Sequence, residues 1–186
     1  MARRSIVWVK EDPRGAEWAD VDLGRGRLTA TGIAIGSEPE GYRLDYKLET
    51  LGNYVTSGLL VVARGRGWRR KLDLRRLRSG RWTGTGDLSA VAGALDCDLA
   101  LSPLTNSMPV LRHRLLEGGG PIEFLMAWVS VPNLRVIPSR QRYTFVRKSG
   151  DLSIIRYESS SRDFVADLTF SSDGLCVDYP GIGRAV

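Results

Sequence analysis

Tyr42-Arg43-Leu44-Asp45-Tyr46-Lys47-Leu48-Glu49 alternates without a break, with Tyr42, Leu44, Tyr46 and Leu48 on one side and Arg43, Asp45, Lys47 and Glu49 on the other. Successive side chains of a strand point to opposite faces, so this stretch is a strand with one face buried and one in water. A strand of this kind needs partners, and the sequence supplies them on both sides of it. Gly58 to Ala63 is continuously apolar. Gln141, Tyr143 and Phe145 share a face, and Phe164, Ala166, Leu168 and Phe170 alternate with Val165, Asp167 and Thr169. From Arg27 to Ile35 the apolar phase begins with Leu28 and Ala30 and passes to Ile33 and Ile35 after Gly32, which predicts a bulge or sharp bend at Gly32 where the sheet curls.

Turn signals fall between these runs: Gly24-Arg25-Gly26, Glu38-Pro39-Glu40-Gly41, Gly65-Arg66-Gly67, Gly118-Gly119-Gly120, Ser149-Gly150 and Asp173-Gly174. Helical material is scarce. Asp87 to Leu95 is one candidate, and the other starts at Pro103, capped by Ser102 and ended or kinked by Pro109. No repeat or linker divides the chain. The expected fold is therefore mainly β over residues 1–186 as one domain: a long antiparallel sheet with one short helix, which must curl or close at this number of strands.

The 186 residues carry 27 Lys and Arg against 21 Asp and Glu, a formal charge of +6. At this length a fold buries roughly 70% of its unfolded surface and needs no disulfide or metal to hold it together. One His and two Cys cannot build a structural zinc site without carboxylates, so no metal and no cofactor is expected. The two arginines at the start precede an apolar run shorter than the roughly 7–15 residues of a signal peptide, and no stretch approaches the roughly 20 of a membrane span. A cytoplasmic protein with free thiols is the expectation. The basic charge is local: from Arg64 to Arg81 there are nine Lys or Arg (Arg64, Arg66, Arg69, Arg70, Lys71, Arg75, Arg76, Arg78 and Arg81) and one Asp, a local charge of +8 that leaves the rest of the chain at −2.

Chemistry has few carriers. His113 lies between Arg112 and Arg114 with no G-x-S-x-G elbow in the chain, which reads as a surface or cleft residue rather than a base. Cys97 and Cys176 lack a C-x-x-C context and read as small core residues. Asp96 and Asp98 are two apart, so on a strand both carboxylates face one side, where they could bind sugar hydroxyls or a cation, act as a glycosidase pair, or simply sit in water at a strand end. Thr105, Asn106 and Ser107 add directional polar groups nearby. The Arg64–Arg81 patch, interleaved with Trp68 and Trp82, fits a nucleic-acid strand, an anionic lipid surface, or an exposed hairpin whose arginines are merely solvated.

The segment Gly93-Ala94-Leu95-Asp96-Cys97-Asp98-Leu99-Ala100-Leu101-Ser102-Pro103-Leu104-Thr105-Asn106-Ser107-Met108-Pro109-Val110 resembles the signature of the bacterial glycolipid-binding family. Val7-Trp8, Tyr42 to Tyr46, Pro132 to Tyr143, Arg156-Tyr157-Glu158 and Gly174 to Gly181 are similar to its pattern, so the resemblance spans nearly the whole chain. Ala94 and Ser102 stand where the pattern has Cys and Thr. The resemblance implies a spiral β-roll, a long antiparallel sheet wrapped around a single helix, with a concave interior similar to that of bacterial lipoprotein carriers, and a homodimer. It also implies Asp96, Asp98, Thr105, Asn106 and Arg112 as pocket residues, joined by Gln141, Tyr143 and Tyr157.

The expected function is binding of a glycolipid-like or other amphipathic small molecule in the concave face. The alternatives are an enzyme acting on a lipid or sugar derivative through Asp96 and Asp98, and an anionic-polymer or membrane-surface binder using the basic patch. Because the matched motif lies outside the patch, nucleic acid is not the expected partner.

Overall fold

The computed structural model describes residues 2–186. Seven strands come first: β1 (Ala2–Glu11), β2 (Arg14–Gly24), β3 (Arg27–Gly36), β4 (Tyr42–Thr50), β5 (Thr56–Gly65), β6 (Trp68–Arg76) and the short β7 (Trp82–Thr83). After β8 (Asp96–Leu99), a 3-10 turn at Leu104–Asn106 runs directly into α1 (Ser107–Arg112). The chain then returns as β9 (Ile122–Val129), β10 (Val136–Ser149), β11 (Leu152–Ser159), β12 (Phe164–Phe170), β13 (Cys176–Tyr179) and β14 (Gly183–Ala185). All fourteen strands belong to one curled, unclosed sheet in the order β7-β6-β5-β4-β3-β2-β1-β14-β13-β12-β11-β10-β9-β8. The first and last strands pair with each other, which joins two meanders into a continuous surface.

The alternation that marked β4 extends across its neighbours. Val21, Ala30, Leu48, Leu59 and Leu74 stand directly opposite one another on β2 to β6, and all are buried. Each Val or Leu of the row contributes roughly 1.5–3 kcal/mol when removed from water, so the row fixes the register. The curl brings β8, at one edge of the sheet, back against β5 near the other. Thr56 N donates to Leu95 O at 3.1 Å, and Cys97 N donates to Thr56 Oγ1 at 3.2 Å. The inner face is filled: α1 and the turn before it are buried there against both halves of the sheet.

Four expectations are corrected. First, β3 has no bulge at Gly32, and its pairing with β2 and β4 runs unbroken. Gly32 faces inward with Leu28, Ala30 and Ala34, while Ile33 and Ile35 point out. The phase shift in the sequence exists because Tyr46, directly opposite, lays its ring over Gly32: a Cβ there would come 2.2 Å from the ring. The same exchange pairs Gly36 with Tyr42 and Gly65 with Trp68. Irregular pairing occurs instead at Glu49/Thr50, Phe145/Arg147 and Thr169/Phe170. Second, the sheet is not wholly antiparallel, because β8 pairs with β9 in parallel. The whole Leu104–Arg112 helical segment separates those two strands and supplies the long return a parallel pair requires.

Third, Asp87 to Leu95 forms only a 3-10 turn at Ser89–Val91. Asp87 Oδ1 accepts from Ser89 N at 2.9 Å, a local bond that competes with helix, and Gly93 leaves the right-handed region at φ +86°. Fourth, Ser102 caps nothing. Its hydroxyl donates to Glu17 Oε1 at 2.6 Å, and Pro109 sits in the first turn of α1, where a missing N–H costs no bond.

Candidate functional site

Because neighbouring strands run antiparallel, the connections at 12–13, 37–41, 66–67, 160–163 and 180–182 gather at one end of the roll. The parallel register of β8 on β9 puts Leu99 and the 130–135 connection at that end too. A cavity of about 330 Å³ opens there. Its walls are the Leu99–Ser102 segment, Trp128 and Val131 at the end of β9, Phe164 at the start of β12, and Tyr179 and Ile182 at the β13–β14 turn. Asp98 and Arg162 are its charged groups. An apolar, aromatic wall with a few converging polar groups is the usual make-up of a small-molecule site.

Asp98 is buried and braced from behind. Thr105 Oγ1 donates to its Oδ1 at 2.9 Å, and Gln141 Nε2 donates to its Oδ2 at 2.6 Å. Thr105 also accepts from Leu99 N at 3.3 Å, so one hydroxyl ties the carboxylate to its own strand. Behind Gln141, the Tyr143 hydroxyl lies 2.8 Å from Asn106 Oδ1 and 3.1 Å from Gln141 Oε1. Asn106 Nδ2 donates to Pro103 O at 3.2 Å and sets the turn that leads into α1. A carboxylate has about four lone-pair sites and two donors occupy part of them, so Asp98 can still accept from a donor inside the cavity. Burial raises the Tyr143 phenol well above its ordinary value and, with the nearby Asp98 charge, pushes Tyr157 up to about 12, so both phenols are neutral.

Asp96 shares the strand side of Asp98 but not its surroundings. Arg112 on α1 holds it in a buried bidentate pair, with Nη1 donating to Oδ1 at 2.7 Å and Nη2 to Oδ2. Asp96 and Arg112 therefore bind α1 to β8 and do not line the cavity. The solvated strand end is overturned, since both carboxylates are buried, and so is the idea that they face one site as a pair. Tyr157 stands behind the cavity wall, where its hydroxyl accepts from Arg162 Nη2. Edge-on contacts run from Phe124 to Tyr143 (ring centroids 5.5 Å apart) and from Tyr143 to Tyr157 (5.3 Å), and the stack reaches the wall at Tyr179 and Phe164. Of the eight residues the sequence nominates, then, Asp98 lines the cavity, while Thr105, Gln141, Asn106 and Tyr143 form its bracing network.

His113 lies on the surface against Phe124, outside the cavity, and accepts from Arg112 Nε at 3.2 Å. Cys97 and Cys176 are buried, and burial drives both thiols far above the ordinary cysteine range, so neither offers a thiolate. Among the described residues, no group of three or more His, Cys, Asp or Glu could hold a metal ion.

Sequence reasoning missed the aromatic and basic groups of the cavity, Trp128, Arg162, Phe164 and Tyr179. They come from three distant places, the end of β9, the β11–β12 connection and the end of β13, and no motif in the sequence relates those places. It also missed Lys10 and Glu17, which did leave a signal. Lys10 continues the inward phase of Ile6 and Trp8, and Glu17 begins that of Ala19 and Val21, so each is a charge on an apolar face. Glu17 Oε2 accepts from Lys10 Nζ at 3.1 Å, and Oε1 accepts from Tyr46 Oη at 2.8 Å and from Ser102 Oγ. Lys10 also donates to Leu101 O. This buried cluster holds the Leu101–Ser102 wall of the cavity against the first half of the sheet.

The basic patch divides along β6. Arg64 and Arg69 stand opposite each other beside the β5–β6 turn that carries Arg66, with Arg70 and Lys71 next to them. Arg78 and Arg81 lie past the other end of the strand, roughly 25 Å away at 3.3 Å per residue. Arg64 pairs with Asp45, Arg75 with Asp73 and Glu49, and Arg76 Nε donates to Ala94 O. Trp82 is buried with its indole N–H on Ala94 O, so it cannot stack a base. Trp68 lies under Arg70 and donates to Glu40.

The model of the family described as "Putative glycolipid-binding" matches residues 5–185. The chain belongs to this family. Among solved structures, it is similar to the crystal structure of a DUF1089 family protein from Pseudomonas aeruginosa, at 27% identity and a TM-score of 0.74, over 91% of this chain and 92% of that one. No curated protein matches. In this member of the family, the 93–110 segment supplies β8, the Leu99–Ser102 wall and the turn into α1. No helix among the described residues is long and apolar enough to cross a membrane.

Proposed function

We propose that the protein binds an amphipathic, glycolipid-type molecule by its hydroxylated head, held in the cavity at the end of the roll. The observation that carries this reading is Asp98: a buried carboxylate, braced by Thr105 and Gln141, set in a cavity walled by Trp128, Phe164 and Tyr179. Aromatic faces suit the apolar faces of a sugar ring, and a carboxylate with free lone pairs suits its hydroxyls. The volume also argues for the head rather than the whole molecule. At about 330 Å³ the cavity stands near the lower end of the ~300–1,000 Å³ range of ligand sites, so the chain of a lipid leaves through the mouth.

Calorimetric titration with an alkyl glycoside such as octyl glucoside, below its micelle concentration, tests the reading. Binding is expected, with a loss of about tenfold, equivalent to ~1.4 kcal/mol, in Asp98→Asn and in Trp128→Ala. Absence of binding to a panel of alkyl glycosides, or equal affinity in both variants, would refute it. Because Asp96 is outside the cavity and closed by Arg112, Asp96→Asn should change melting rather than affinity.

A further inference from the structure

Arg162 is the group the head-binding reading leaves unused. It stands on the exposed β11–β12 turn, with its guanidinium carbon 5.0 Å from the centre of the Trp128 ring and one Nη2 proton on the Tyr157 hydroxyl. Stacking and that single bond fix the plane of the fork, while a guanidinium has five N–H donors in all. Among the described residues no carboxylate lies within ion-pair distance of it. The cavity is therefore polar along its depth, with a carboxylate at the buried end and an uncompensated, pre-oriented cation at the open end.

Resting on the head-binding reading above, we propose that the ligand carries a phosphodiester between its hydroxylated head and its chain, and that Arg162 holds this phosphate at the cavity mouth. Position decides the class of anion. A carboxylated head would bring its charge against Asp98 and be repelled, whereas an anion linking head to chain falls at the mouth once the head is inside. The volume agrees, since about 330 Å³ is near the lower end of the ~300–1,000 Å³ range of ligand sites and leaves the chain, and the phosphate that joins it, at the mouth. A phosphodiester presents two free oxygens that match the guanidinium fork.

The test compares three probes by calorimetry: octyl glucoside, the octyl phosphodiester of glucose 1-phosphate, and glucose 1-phosphate itself. The wild-type protein should bind the octyl phosphodiester at least ~10-fold more tightly than the octyl glucoside. Arg162→Gln should bring the two to equal affinity, and Arg162→Lys, which keeps the charge but not the fork, should fall between. Equal affinities in the wild type, or a preference that survives in both variants, would overturn the assignment while leaving the head-binding reading intact. Failure of both octyl compounds to bind would instead remove that reading. Glucose 1-phosphate binding as tightly as its octyl ester would identify a soluble sugar phosphate as the source and overturn the chain-linked form.

Discussion

Asp96 and Asp98 differ by two positions in sequence and share a side of one strand, yet their partners give them separate work. Arg112 closes both oxygens of Asp96, while Thr105 and Gln141 leave Asp98 able to accept more. His113, beside Arg112, is the only histidine in the chain and so a clean reporter of this neighbourhood. Partial burial and the Arg112 charge lower its pKa below the ordinary 6.5, against a weaker opposing pull from Asp96. The native state thus disfavours the imidazolium. The stability His113 contributes is present above pH 6.5 and is lost as the pH falls through the native value. A single imidazole resonance followed by NMR should titrate with a midpoint below 6.5 and move upward in Phe124→Ala, which wets the ring. A midpoint above 6.5 would mean that Asp96 outweighs burial.

Among the strands, glycine and aromatic residues act as pairs. Tyr46 can lie flat on β3 only because Gly32 has no Cβ, and its hydroxyl then reaches Glu17. Gly32→Ala should cost about 1–3 kcal/mol in urea denaturation, the range for overpacking, because the ring must leave both the glycine and the carboxylate. Gly41→Ala, where a Cβ meets nothing within 4 Å, should stay within ~0.5 kcal/mol. Equal costs at the two sites would show that the loss reflects backbone freedom rather than the Tyr46 contact. The strand-to-helix segment 96–112 works by the same principle of fitted partners. Its polar side chains reach β2, β10 and the segment's own backbone instead of capping α1, which has no side-chain cap.

Across the molecule, the two halves of the sheet meet along β1 and β14 and again through the Lys10–Glu17 cluster, which grips Leu101 and Ser102 from the other meander. Lys10→Met strands the Glu17 carboxylate in the interior and should cost about 3–5 kcal/mol, whereas Lys10→Met with Glu17→Gln should recover much of that loss. A double variant no more stable than the single one would place the cost in packing of the lysine stem. Much of this architecture was legible beforehand. The alternation of β4 follows from periodicity, because a strand's two faces see water and core in strict succession, and the turns follow from their glycines and prolines. The motif around Asp98 stood out as a candidate for a local reason too: polar residues held between apolar flanks. Which of its members faces a cavity was not legible. Strand order, the parallel seating of β8 and the gathering of Trp128, Arg162, Phe164 and Tyr179 at one end depend on contacts between residues distant along the chain. Those are chosen by the packing of the whole curled sheet, and no short stretch encodes them. The curl likewise decides that Trp82 is core, that the basic patch is split along β6, and that Asp96 belongs to the helix while Asp98 belongs to the cavity.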